Sequence, residues 1–183
     1  ATAGALDCLG TGGRRGALWS AATAAREKPG MLPGLSQVDA PALPGMSVLE
    51  LTSADLAATG ISPEEYPTVH ARPWLDSRGV CTTAGLAHVP DGSRVEVAGA
   101  VTHRQRPAPA EGVTFLSLED ETGMTNIVCS VGLWARYRPI VSSAPALVVR
   151  GTVENRSGAV SVVADKIERL HLGMAIGRSR DFR

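Results

Sequence analysis

Aromatic residues are scarce in this 183-residue sequence, at 4%, so each one that falls in a strand or helix needs its own explanation. Cysteine is nearly absent. Cys8, Cys81 and Cys129 are odd in number and far apart, which excludes a disulfide framework and fits a reducing, cytoplasmic compartment. No apolar run approaches the roughly 20 residues of a membrane-spanning helix. Nor does a charged n-region and apolar core open the chain, so no secretory signal is read. An excess of charge of one sign is also missing, 18 Lys and Arg balancing 18 Asp and Glu. That argues against a broadly basic surface, and any nucleic-acid role must rest on local groups. His70, His88, His103 and His171 stand apart from each other and from the cysteines without zinc-ligand spacing. "GTGGRRG" at 10–16 lacks the spacing of a phosphate-binding loop. Ser142 and Ser143 have no patterned base. Catalytic residues, a metal and a cofactor are therefore not expected within this stretch.

What is present divides the chain. Hydrophobic residues make up 44%, enough for a real core in one or two small domains. Residues 1–93 carry six basic and nine acidic groups, residues 94–170 nine and eight, and residues 171–183 three and one. The opening "ATAGALDCLG" reads as the beginning of a piece of a longer chain. Helical composition, broken by "GTGG", covers 1–30. Between about 29 and 45, four prolines among glycines forbid regular structure. "SVLELTSADLAATG" restores helical spacing through Val48, Leu51 and Leu56, with Gly60 as the C-cap. "PEEYPTVHARPWL" and "TTAGLAHV" predict short helices, Thr82 or Thr83 capping the second. After "PDG" the period falls from about 3.6 to 2. Val95, Val97 and Val101 alternate with polar or small residues, and Gly99 marks a strong bend. "VTFLSLE" and "TNIVC" follow as strands, then the amphipathic helix "GLWARYRPIV", then the strands "ALVVRGTVE" and "AVSVVADKIERL". Strand, strand, strand, helix, strand, strand is the order of the five-stranded OB-fold barrel. The expected class is α+β: a helical and irregular connector over 31–92, a barrel over 93–172 and a flexible tail over 173–183.

The three consecutive carboxylates Glu119, Asp120 and Glu121 could suggest a metal or an acid/base site. Neighbours at a strand end and turn point in different directions, however, whereas catalytic metals need ligands converging from fixed elements. With Gly123 supplying a positive-φ position, the stretch is expected to be a tight hairpin turn.

The run from "VEVAGAVTHRQRP" through "GVTFLSLEDETGMTNIVCSVGLWARYRPIV" to "LVVRGTVENRSGAVSVVADKIERL" resembles the C-terminal OB domain of bacterial C-family DNA polymerases, in particular their error-prone, damage-induced branch. "AGALDCLGTGGRRGALW" resembles the end of that family's helix-hairpin-helix region, and "LPGMSVLELTSADLAATGISPEEYP" its connecting segment. The resemblance implies a non-catalytic module of a translesion polymerase, since the family's catalytic carboxylates belong to an upstream domain. It also implies partners: single-stranded DNA, a mutasome protein resembling a Y-family polymerase, and the sliding clamp indirectly, because no clamp-binding peptide stands out here.

Candidate contacts follow from strand parity. With Leu116 and Leu118 inside the barrel, Phe115 faces the groove where OB domains stack a base. The F-x-x-L-x-D pattern at 115–120 is similar to that of class II tRNA synthetases, which implies the same use of its Phe. Asn126 is the polar candidate on the adjoining strand. Arg104 and Arg106 at the first barrel loop and Arg156 at the last border such a groove and could hold phosphates. Arg14 and Arg15, opening a helix after a Gly-rich hairpin, are candidates for the DNA backbone. Trp134 and Tyr137 are expected to pack the helix. The rival reading is an OB domain that binds only protein, which the balanced charge favours.

Overall fold

The computed structural model describes every residue except Thr11, Glu27, 31–39, 108–111, Ser157, 174–179 and Arg183, and leaves the side chains of Thr23, Arg180 and Phe182 undescribed. It forms two units, Ala1–Pro63 and Glu64–Arg183.

The first unit holds a 3-10 turn at Asp7–Leu9 and two helices, α1 (Arg14–Ala24) and α2 (Val48–Thr59). Ser47 starts α2 through a capping box: its hydroxyl accepts from the Glu50 amide while the Glu50 carboxylate accepts from the Ser47 amide. Two otherwise orphaned donors are thereby satisfied. Gly60 ends the helix at φ 77°, its amide bonded to the Leu56 carbonyl. Most of the Pro/Gly stretch expected to be irregular lies outside the described residues, and residues 40–46 have no regular structure.

The second unit begins with a 3-10 turn at Pro67–Ala71, the short helix α3 (Arg72–Ser77) and a 3-10 turn at Ala84–His88. Thr82 anchors the last of these, its hydroxyl accepting from the Gly85 amide. Then come β1 (Arg94–Gln105), β2 (Thr114–Asp120), β3 (Gly123–Cys129), α4 (Val131–Val141), β4 (Ala146–Arg156), β5 (Ala159–Arg169) and β6 (Arg180–Phe182). The sheet runs β2-β3-β5-β4-β1, and pairing of β1 with β2 closes it. Neighbours are antiparallel except β3 with β5. This is a closed five-stranded OB-fold barrel with a helix between its third and fourth strands.

Alternation builds the barrel. Leu116, Leu118, Ile127, Val149, Val153 and Val162 are all 0% exposed and meet in one core. α4 plugs one end, Ser130 capping its start and Leu133, Trp134, Tyr137 and Ile140 packing inward. Gly99 permits the curl: a Cβ there would sit 2.6 Å from the Glu119 carbonyl oxygen. No side chain fits so close an approach.

A second, smaller core lies outside the barrel. Leu75 and Val80 pack on Ala98, Ala146, Val148, Leu170 and Leu172. The start of β4 is thus buried on both faces, which explains its continuous apolar run "ALVV". Residues 64–92, expected to form part of a connector ahead of the barrel, accordingly share its unit.

Of the tail over 173–183, residues 174–179 and Arg183 lie outside the described residues, and residues 180–182 form β6, parallel to His103–Gln105 of β1. The pairing of β1 with β4 ends at Ala100, so the far end of β1 has an open edge that an added strand satisfies.

Candidate nucleic-acid interface

Strand parity leaves one outer face of the barrel to β1, β2, β3 and β5. In the register, Gln105 stands opposite Phe115, Phe115 opposite Val128, and Val128 opposite Val163. The next row is His103, Ser117, Asn126 and Ser161. Phe115 is partly exposed between buried Thr114 and Leu116, and Asn126 is exposed. The Asn126 amide lies 3.4 Å from the Ser117 hydroxyl. An aromatic ring flanked by neutral hydrogen-bonding side chains is suited to stacking one base and contacting the edge of another. Phe115 and Asn126 therefore share this outer face, on neighbouring strands and in successive rows. His103, Gln105 and Ser117 join them, and only the strand register could have shown that.

Arg104 is a correction. It is 8% exposed, and its guanidinium donates to the carbonyl oxygens of Val141, at 2.6 Å, and Ala144. Asp181 lies 3.4 Å away. The side chain ties off the end of α4 inside the barrel, so it is not a loop group open to a phosphate. The cause is a bulge: register slips between Val101 and His103. One extra residue reverses the parity beyond it, placing Arg104 opposite the inward Leu116.

Arg14 and Arg15 need the same correction. Arg14 binds Asp55, and Asp7 at 3.2 Å, with its side chain 9% exposed. Arg15 pairs with Glu50 at 2.6 Å and donates to the Pro44 and Gly45 carbonyls. Both hold α1 to α2 and its lead-in. Arg106 and Arg156 remain at the surface. Arg106 lies 5.8 Å over the Trp134 ring, and Arg156 is 83% exposed beside Glu154.

The acidic stretch forms the expected turn and does more. Asp120 Oδ1 accepts from the Thr122 and Gly123 amides at 2.8 and 3.1 Å, closing the hairpin. Its carboxylate also receives the Thr83 amide and hydroxyl and Arg72 Nη2. Glu121 takes the Arg72 Nε and the Thr68 hydroxyl. The turn is thus a clamp that fastens residues 68–83 to the barrel end. Burial pushes the Asp120 carboxyl up, but the Thr83 and Thr122 hydrogen bonds outweigh it and hold the group below its ordinary value. Beside it, burial and then the Glu119 and Asp120 carboxylates push the Tyr66 phenol well up. Among the described residues no three His, Cys, Asp or Glu side chains converge as a metal site. Buried Cys129 has its thiol pushed up to about 12. No helix among the described residues is long and apolar enough to cross a membrane.

A closed barrel with an aromatic on its open face defines the class, and residues 95–170 match the family described as OB-fold nucleic acid binding domain. Over its full length the chain is homologous to a segment of bacterial error-prone DNA polymerases. It is 61% identical over 191 residues to the error-prone DNA polymerase of Nocardia farcinica, an alignment covering 100% of this chain and 17% of that one. It is 57% identical to the one of Mycobacterium tuberculosis, again covering 100% and 17%. The chain thus spans 17% of the length of these curated relatives. Among solved structures, asparaginyl-tRNA synthetase from Pyrococcus horikoshii aligns at 21% identity with a TM-score of 0.42, over 49% of this chain and 22% of that one.

Proposed function

We propose that this chain is the non-catalytic C-terminal module of an error-prone translesion DNA polymerase, and that it binds single-stranded template DNA on the open face of its barrel. The partly exposed Phe115 between Gln105 and Val128 carries the reading. It offers a stacking platform, with Asn126 beside it for a base edge and Arg106 and Arg156 toward the borders for phosphates. The balanced charge of the chain makes this binding weak and dependent on an upstream polymerase domain for affinity.

Titration of labelled single-stranded DNA at two salt concentrations tests it. Two phosphate contacts give a slope of log K against log salt of about −1.4, from about 0.7 per contact. No binding at low salt removes the reading.

A second reading, docking to a mutasome partner resembling a Y-family polymerase, is supported by a different observation. Val69 and Trp74 are 37% and 49% exposed, two large apolar side chains available to a protein contact, Arg78 lying over the Trp74 ring. Both roles place the module in the bacterial cytoplasm, with any sliding-clamp contact made through the partner.

A further inference from the structure

The chain has two phenylalanines, Phe115 and Phe182, and the sheet brings them into one row. β6 runs parallel to the far end of β1, with Arg180 opposite His103, Asp181 opposite Arg104 and Phe182 opposite Gln105. Gln105 is in turn opposite Phe115, and His103 opposite Ser117. Residues paired across a sheet share a face, and successive residues of a strand take opposite faces. The middle pair fixes which face is which. Arg104 is buried against the end of α4, opposite the inward Leu116, and Asp181 Oδ1 lies 3.4 Å from its guanidinium. Asp181 thus belongs to the row of Arg104 and Leu116, and Arg180 and Phe182 belong by register to the outer rows on either side of it.

β6 adds to those rows what the barrel strands do not supply. Across β1, β2, β3 and β5 the two rows contain Phe115 and Asn126 but no Lys, Arg, Asp or Glu. Position 182 adds a second phenylalanine to the row of Phe115, and position 180 adds an arginine to the row of Asn126. A surface that holds a single strand combines aromatic rings for its bases with cations for its phosphates. Strands of a sheet lie about 4.8 Å apart, so positions 115 and 182, two strands apart, are separated by about 10 Å. That is well beyond the rise of about 3.4 Å per nucleotide in a stacked duplex strand. The two rings therefore suit bases of an extended strand rather than neighbours in one stack.

We propose that β6 is part of the nucleic-acid interface: Phe182 stacks a second base of the single strand, and Arg180 holds a phosphate. The inference rests on the open-face reading above and lengthens that site across β1, onto residues outside the closed barrel. The match to the nucleic acid binding family ends at residue 170, so the family does not assign either position.

The full chain is titrated with labelled oligothymidine at two low salt concentrations, beside variants at 115, 180 and 182. Phe182→Ala is expected to bind at least about fivefold more weakly, the loss of one stacked base. Phe182→Leu, which keeps an apolar side chain without the ring, is expected to lose as much, and Phe182→Tyr to keep wild-type affinity. Arg180 adds a third phosphate contact to Arg106 and Arg156, steepening the wild-type slope of log K against log salt to about −2.1. Arg180→Ala returns it to about −1.4, and Arg180→Lys does not. Full affinity in Phe182→Leu beside a loss in Phe182→Ala would show that the residue only seats β6, and overturns the proposal. Tighter binding in Phe182→Ala, the mark of a strand that covers the face, also overturns it. An unchanged slope in Arg180→Ala removes the phosphate contact. Weaker binding in Phe115→Ala with unchanged affinity in both Phe182→Ala and Phe182→Leu leaves the open-face reading standing and removes this one. No binding by the wild-type chain removes both.

Discussion

Asp120 accepts both the amide and the hydroxyl of Thr83, at 2.8 and 2.6 Å, across 37 residues of chain. The bond makes a hairpin turn the anchor of the segment that precedes the barrel. Removing the carboxylate takes the acceptor from the Thr83 amide and hydroxyl and from the turn amides of Thr122 and Gly123, while Glu121 still holds Arg72. Asp120→Ala is therefore expected to destabilise the second unit by about 1–3 kcal/mol for each buried donor left without an acceptor. Urea denaturation measures it. A loss under about 1 kcal/mol, the range of surface pairs, contradicts the clamp.

The same carboxylates set an acid limit. Burial raises both groups, but hydrogen bonds from Thr83 and Thr122 to Asp120, and from Arg72 and Thr68 to Glu121, leave both below their ordinary values. A group with a lowered folded pKa contributes stability that is fully present above its unfolded value and lost as pH falls through the folded one. Melting temperature should therefore hold down to about pH 4, near the unfolded carboxylate values, and fall below that. Asp120→Asn combined with Glu121→Gln should lower the plateau and flatten the fall. An equally steep acid loss in that variant places its source elsewhere.

Arg104→Met is expected to unfold more readily by about 2–3 kcal/mol, because the Val141 and Ala144 carbonyls lose a charged donor. The salt slope of DNA binding should stay as in the wild type. Unchanged stability with a slope smaller by about 0.7 would restore Arg104 as a phosphate contact.

This residue shows where sequence reading stops. Leu116, Leu118 and Ile127 announce their direction because burial of one strand face enforces a period of two. Hence the barrel, its helix and the placement of Phe115 were legible. Arg104 was not, because the bulge after Val101 leaves no mark in an otherwise alternating strand. Arg14 and Arg15 sit at a helix start that suits a phosphate, but Asp55 and Glu50, about 40 residues away in sequence, take their charge. The clamp at Asp120 was half legible: the turn is local chemistry, whereas Thr68, Arg72 and Thr83 come from distant sequence.

Truncation tests the second core. A chain starting at residue 64 is expected to melt cooperatively. One starting at residue 94 loses Leu75 and Val80 of that core and Leu86 of the barrel core, each at most 4% exposed. At roughly 1.5–3 kcal/mol for each buried large aliphatic side chain, that loss rivals the whole stability of a small domain. Calorimetry of both pieces checks it; equal melting temperatures would make residues 64–93 dispensable to the barrel.

The open face is tested most directly by titrating single-stranded DNA against the wild-type chain and Phe115→Ala under one low-salt condition. Stacking contributes roughly 1–3 kcal/mol per base. The variant should accordingly bind at least about fivefold more weakly while keeping the wild-type melting temperature and salt slope. Equal affinity of the two proteins, or no measurable binding by either, would contradict a nucleic-acid site on this face.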